Sequence, residues 1–164
     1  MISKAKERRT TATSLPLSSH PSFAFTLGEF LAARYTPEKS LMPSTIAMIL
    51  VVEDDPRIRS LAEYALQTRY ERVVLASGAE EAQRLFDAHP EIGLVFTDVT
   101  LPGGPDGIKM AGRMREKKPD IPVLVTTGDP AFVLPHWPRC RFLPKPYDIT
   151  ALFAALDALE NMSH

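Results

Sequence analysis

The sequence predicts an α/β fold built on a parallel sheet with helices on both faces. Three observations predict it. Short apolar runs at 49–52, 92–97 and 122–126 have the character of strands buried on both sides. Between them, apolar residues recur at helical spacing. The runs end in acidic or hydroxyl residues followed by Pro or Gly, the punctuation of a chain turning from strand into helix. Strands that alternate with helices, with no visible internal repeat, call for a parallel sheet.

The elements follow in order. Ile49-Leu50-Val51-Val52 forms the first strand and stops at Glu53-Asp54-Asp55. Asp55 is expected to cap a helix with Pro56 at its first position, carrying Ile58, Leu61, Ala62, Ala65 and Leu66 inward. Residues 72–76 form a second strand. Ser77 is expected to cap the next helix, which carries Ala82, Leu85 and Phe86 and stops near Pro90. The third strand, 92–97, delivers Asp98 into a loop rich in Pro and Gly. A helix through Ile108, Met110, Ala111 and Met114 then runs to about residue 118. Strands at 122–126 and 141–143 and a last helix at 149–159 complete the pattern.

Composition bounds the function. Lys and Arg total 19 against 20 Asp and Glu, which argues against a general nucleic-acid-binding field. The single cysteine, Cys140, excludes an internal disulfide framework and a cysteine-rich zinc site, and reads as a core or loop residue. No apolar run approaches the roughly 18 residues of a membrane span. Residues 1–45 carry six basic and three acidic side chains, the remainder 13 and 17. This stretch lacks the apolar core of a secretory signal. It reads as a tail, disordered or arising from an upstream start, with a short apolar patch at Phe23, Phe25, Leu27, Phe30, Leu31 and Tyr35. A docking segment is the other reading. The domain proper is expected at 46–161.

Ligands of a parallel α/β sheet bind beyond the carboxyl ends of its strands. Strand one delivers Glu53 and Asp54 there, strand three Asp98, strand four Thr126 and Thr127, and strand five is followed by Lys145. Taken singly, each has a bland reading: helix caps for Asp54 and Asp55, a turn residue for Asp98, a surface ammonium for Lys145. Their ordered arrival at four strand ends favours a site. Three converging carboxylates repel one another without a counter-charge. A hard divalent cation such as Mg2+, which takes carboxylates, water and phosphate oxygens, would supply it. The set suits phosphoryl transfer to a carboxylate, with an ammonium and a hydroxyl neutralising the moving oxygens.

Four stretches, ILVVEDD (49–55), VFTDVTLPGGPDG (95–107), PVLVTTG (122–128) and FLPKPY (142–147), together resemble the receiver domain of bacterial two-component response regulators. The resemblance covers 47–159, about two thirds of the chain. It implies a flavodoxin-like, five-stranded parallel sheet of order 2-1-3-4-5. It implies Asp98 as phosphoacceptor, taking the phosphoryl group from a sensor histidine kinase or a histidine phosphotransfer protein. Asp54, Asp98 and the backbone carbonyl of Thr100 would ligate Mg2+, with Glu53 acting largely through a water. Thr127 would be the switch hydroxyl and Lys145, before a cis Pro146, the ammonium that pairs with the phosphoryl oxygens. Phe142 falls at the aromatic switch position without a hydroxyl. Thr100 and Asp129 stand where the family tunes dephosphorylation. A cytoplasmic location, signalling through phosphorylation-dependent protein contacts and no enzymatic turnover beyond the self-catalysed transfer and loss of phosphate also follow.

Two departures stand out. Between Thr127 and Phe142 the family has a further helix, whereas this chain reads GDPAFVLPHWPRC, with Pro130, Pro135 and Pro138. Pro130 can begin a helix, but Pro135 would disrupt it within two turns, so the fourth helix is expected to be short or missing. Val133, Leu134 and Trp137 are expected to pack over the gap, or else to face a partner; His136, without matching ligands, reads as a surface histidine. The chain also ends about five residues after the last helix, so a stand-alone receiver with no DNA-binding output is expected. The alternatives are a pseudo-receiver that binds proteins without cycling, and a small phosphatase with an aspartyl nucleophile. The phosphatase would want an acid where Thr100 stands.

Overall fold

The computed structural model describes residues 44–103 and 106–162. The expected tail through residue 43, with its apolar patch, lies outside the described residues. The described residues form five strands and four helices, alternating except between the fourth and fifth strands: β1 (Met48–Val52), α1 (Pro56–Leu66), β2 (Arg72–Ala76), α2 (Ala79–Ala88), β3 (Ile92–Asp98), α3 (Gly107–Lys117), β4 (Val123–Thr127), β5 (Cys140–Pro144) and α4 (Ile149–Glu160). The strands form one parallel sheet of order β2-β1-β3-β4-β5. This is the expected architecture.

Strand parity divides the core in two. Leu50, Val52, Val95, Val123 and Val125 meet Phe86 of α2 and Met110, Ala111 and Met114 of α3 on one face. Ile49, Val51, Leu94, Phe96 and Leu124 meet Ala62 and Leu66 of α1 and Leu152, Leu156 and Leu159 of α4 on the other. β1 and β4 are buried at every position, which is why their sequences are runs rather than alternations.

The helix starts follow local chemistry. Asp55 caps α1, its carboxylate accepting from Arg57 N–H at 2.8 Å with Pro56 next. Asp106 caps α3 and Asp148 caps α4 in the same way. The start of α2 differs from expectation. Its N-cap is Gly78, whose carbonyl takes the first helical bond from Ala82 N–H. Ser77 stands one residue too early to cap. Instead its N–H and hydroxyl both donate to Glu81 Oε2, at 2.8 and 2.7 Å.

The β4–β5 connection contains no helix. A turn at 130–131 follows β4, with Phe132 N–H donating to Asp129 O at 3.2 Å, and the chain then runs irregularly to a second turn at 138–139. Phe132, Leu134 and Trp137 turn inward onto the α2–α3 side of the core. The Trp137 ring lies beside Gly112 of α3, with the Arg115 guanidinium 5.6 Å from its centre. Val133, by contrast, is 80% exposed, so the expectation that it packs does not hold. Apolar side chains fill the place of a helix, and the three prolines explain why no helix forms there. His136 is exposed, as expected.

At the opposite end of the sheet, the buried Arg69 side chain pairs with Asp157 and with Glu160, the latter at 3.1 Å. Glu160 also accepts from Tyr70 OH and from Ser44 Oγ, at 2.6 and 2.7 Å. This network ties the last turns of α1 and α4 to the segment that leads into β1.

Candidate functional site

The carboxyl edge of the sheet gathers the expected charges. Glu53 directly follows β1, and its N–H donates to Ala76 O of β2 at 3.1 Å, which holds the strand end in place. Asp98 ends β3 in register with Thr126 of β4. One carboxylate oxygen from each of Glu53, Asp54 and Asp98 lies within 4.8 Å of the others. Glu53 and Asp98 are buried, whereas Asp54 is exposed.

Lys145 closes the group. Its Nζ donates to Glu53 Oε2 at 2.8 Å and to Asp98 Oδ2 at 2.6 Å. Its own N–H donates to Thr127 O at 2.9 Å, and the Lys145–Pro146 peptide is cis, as expected. The remaining oxygens are held by the backbone: Asp55 N–H donates to Glu53 Oε1 at 3.2 Å, and Thr100 N–H donates to Asp98 Oδ1 at 2.9 Å. Burial pushes the Glu53 carboxyl above its usual range, and Lys145 opposes that shift without cancelling it. Burial alone would lower the Lys145 ammonium, but its hydrogen bonds to Asp98 and Glu53 outweigh burial and hold its pKa above the usual value.

Thr127 is buried at the end of β4, where its hydroxyl accepts from Asp129 N–H at 3.2 Å. Phe142 packs its ring on Phe132, with centroids 5.3 Å apart, which joins the aromatic position of β5 to the β4–β5 connection. Thr100 sits in the loop after β3 and is tied to Asp98 through its N–H.

Sequence reading passed over three neighbours. Gly107, at the start of α3, lies so close to β3 that a Cβ there would stand 1.9 Å from Asp98 O. Thr97 Oγ1 donates to that same carbonyl at 2.8 Å. Arg59 Nη1 donates to Glu53 O at 2.6 Å and to Asp54 O at 3.2 Å. The only available signal for Arg59 was its place one turn into α1, from which a long side chain leans back toward the N-terminus.

The donor set is all oxygen and carboxylate-rich, the chemistry of a hard divalent cation rather than of zinc or copper. The residues therefore fit Mg2+. A parallel α/β sheet that gathers three carboxylates and an ammonium at its carboxyl edge belongs to the class of α/β domains whose ligands bind beyond the carboxyl ends of the strands.

Comparison with known proteins narrows the class. The family model for the response regulator receiver domain matches residues 49–157, and the chain belongs to that family. It is 36% identical over 110 residues to a response regulator receiver protein of Anaeromyxobacter sp. (strain Fw109-5), covering 67% of this chain and 44% of that one. It is 33% identical over 120 residues to the sensor kinase CckA of Brucella abortus (strain 2308), covering 70% of this chain and 13% of the kinase. The chain thus spans less than half the length of either relative. Among solved structures, the receiver domain of the hybrid histidine kinase CckA aligns with a TM-score of 0.59 at 30% identity, covering 70% of this chain and 99% of that domain. No helix among the described residues is long and apolar enough to cross a membrane.

Proposed function

We propose that this receiver accepts a phosphoryl group on Asp98 from a phosphohistidine of a sensor kinase or phosphotransfer protein. It would act in the cytoplasm and signal through protein contacts that change on phosphorylation. One observation carries the reading: a buried aspartate at a strand end, flanked by two further carboxylates and bridged by an ammonium at 2.6 Å. The likeness to part of a sensor kinase supports a place in a histidine-to-aspartate phosphotransfer chain.

Glu53, Asp54, Asp98 and the backbone carbonyl of Thr100 would hold Mg2+, which when bound neutralises charge on the phosphoryl oxygens. In the transfer, an Asp98 oxygen forms the new P–O bond as the P–N bond to the histidine breaks, and the electron pair leaves with the imidazole. Thr100 N–H and Lys145 Nζ orient the Asp98 carboxylate, one oxygen each. The Lys145 ammonium then follows the added negative charge onto the phosphoryl oxygens. Thr127 already accepts a bond from Asp129 N–H, which leaves its own proton for a phosphoryl oxygen. Phe142, packed against Phe132 with the rings tilted, would pass such a movement to the helix-free connection.

The test is incubation with acetyl phosphate and Mg2+. Wild type should acquire one base-labile acyl phosphate and Asp98→Asn none. Absence of the adduct in wild type, or its persistence in Asp98→Asn, would overturn the assignment. The switch itself fails if phosphorylated and unphosphorylated protein capture the same partners equally from a cell extract.

A further inference from the structure

The first turn of α1 is electrostatically odd. A helix N-terminus favours acidic side chains, yet α1 has none in its first turn and instead has Arg57 and Arg59 at its start. Arg57 is accounted for: its guanidinium pairs with the Asp55 cap at 3.2 Å, out in solvent. Arg59 has no carboxylate at ion-pair distance among the described residues. Half-buried, it turns back along the helix, and a single nitrogen, Nη1, grips the carbonyls of Glu53 and Asp54, at 2.6 and 3.2 Å. These are the two residues whose side chains form one wall of the acidic site.

We propose that Arg59 is a positioning residue of the metal site. By clamping two successive carbonyls it fixes the backbone from which the Glu53 and Asp54 carboxylates project. The clamp would hold the pair ready for a divalent cation, at the expense of placing a positive charge nearby. The inference rests on the Mg2+ reading of that site. Groups that orient metal ligands from behind typically change affinity by about 10–100-fold when removed. Arg59 acts through the backbone, so the lower end of that range applies.

Its charge and its clamp act in opposite directions, which makes the proposal decidable. Mg2+ affinity is measured by titration calorimetry on the full chain for wild type, Arg59→Ala, Arg59→Lys and Arg59→Gln, with the thermal midpoint of each metal-free protein recorded alongside. Positioning predicts Mg2+ binding about tenfold weaker in Arg59→Ala. It also predicts partial recovery in Arg59→Gln, which keeps donors but no charge. At saturating Mg2+, acetyl phosphate labelling of Arg59→Ala should approach wild type. Binding unchanged or tighter in Arg59→Ala, with a gain that fades as salt screens the field, would overturn the proposal in favour of charge alone. Failure of both Arg59→Lys and Arg59→Gln to bind Mg2+ more tightly than Arg59→Ala would overturn it equally. If an unfolded Arg59→Ala precludes titration, the Gln and Lys variants decide. Failure of wild type itself to bind Mg2+ would instead sink the metal reading and this inference with it, an outcome distinct from the others.

Discussion

One ammonium governs the balance of charge at the site. Lys145 bridges two buried carboxylates that would otherwise repel across the carboxyl edge of the sheet. Lys145→Ala should therefore destabilise the metal-free protein by about 2 kcal/mol, less than the loss for a fully buried pair because Lys145 is partly exposed. Mg2+ should bind at least as well as to wild type and restore much of that loss, while phosphorylation should no longer change partner affinity. Denaturant titrations with and without Mg2+, followed by partner pull-downs, check each step. A metal-free stability equal to wild type would deny the bridge its role. Glu53, Asp54, Asp98 and Lys145 were legible in the sequence because chemistry at the ends of parallel strands is a matter of position along the chain. Arg59, Thr97 and Gly107 were not. Their parts depend on which backbone carbonyl lies within reach, and a residue list carries no such distance.

Among the elements, the β4–β5 connection is where the chain departs from the helix that the resemblance implied. Three prolines made the loss of a helix legible, since each removes a donor and Pro135 interrupts any turn begun at Pro130. They did not say what would take its place. Trp137 does so with Phe132 and Leu134, seated beside Gly112, while Val133 turns outward. Trp137→Ala should lower stability by about 2 kcal/mol, below the range for a fully buried aromatic because the ring is only half-buried. Mg2+ affinity should stay within twofold of wild type, because Trp137 packs on α3 rather than on the acidic residues. Urea unfolding and metal titration of one variant test both halves. An unchanged urea midpoint would mean that the ring only covers the gap without stabilising it. The start of α2 teaches the same lesson on a smaller scale. Ser77 reads as a cap from its type, but the first helical bond ends on Gly78 O, and Ser77 is left to bond Glu81.

For the molecule as a whole, several buried groups hold their protons more tightly when folded. Burial pushes the Cys140 thiol up to about 11 and, as the largest of its influences, the Tyr147 phenol up to about 12. Tyr70 is raised by burial and by its bond to Glu160, and Lys145 is raised by its carboxylates against the opposing effect of burial. A pKa above the unfolded value means that the folded state binds more protons. The associated stability is complete below the unfolded pKa and is lost as pH climbs toward the folded one. Stability should therefore fall steadily above about pH 8.5, where an unfolded cysteine is half ionised. The decline between that pH and about 11 should be shallower in Cys140→Ala. Thermal midpoints across the range measure it, and identical slopes would remove Cys140 from the account. By itself the sequence determined the α/β class, the element order and which side chains arrive at the carboxyl edge, because strand and helix periodicities and strand-end chemistry are local properties of the chain. Only the tertiary structure decided the Lys145 bridge, the Arg59 clamp, the close approach of Gly107 to β3 and the apolar filling of the absent helix. Each of these joins groups separated along the chain, and packing brings them within bonding or contact distance.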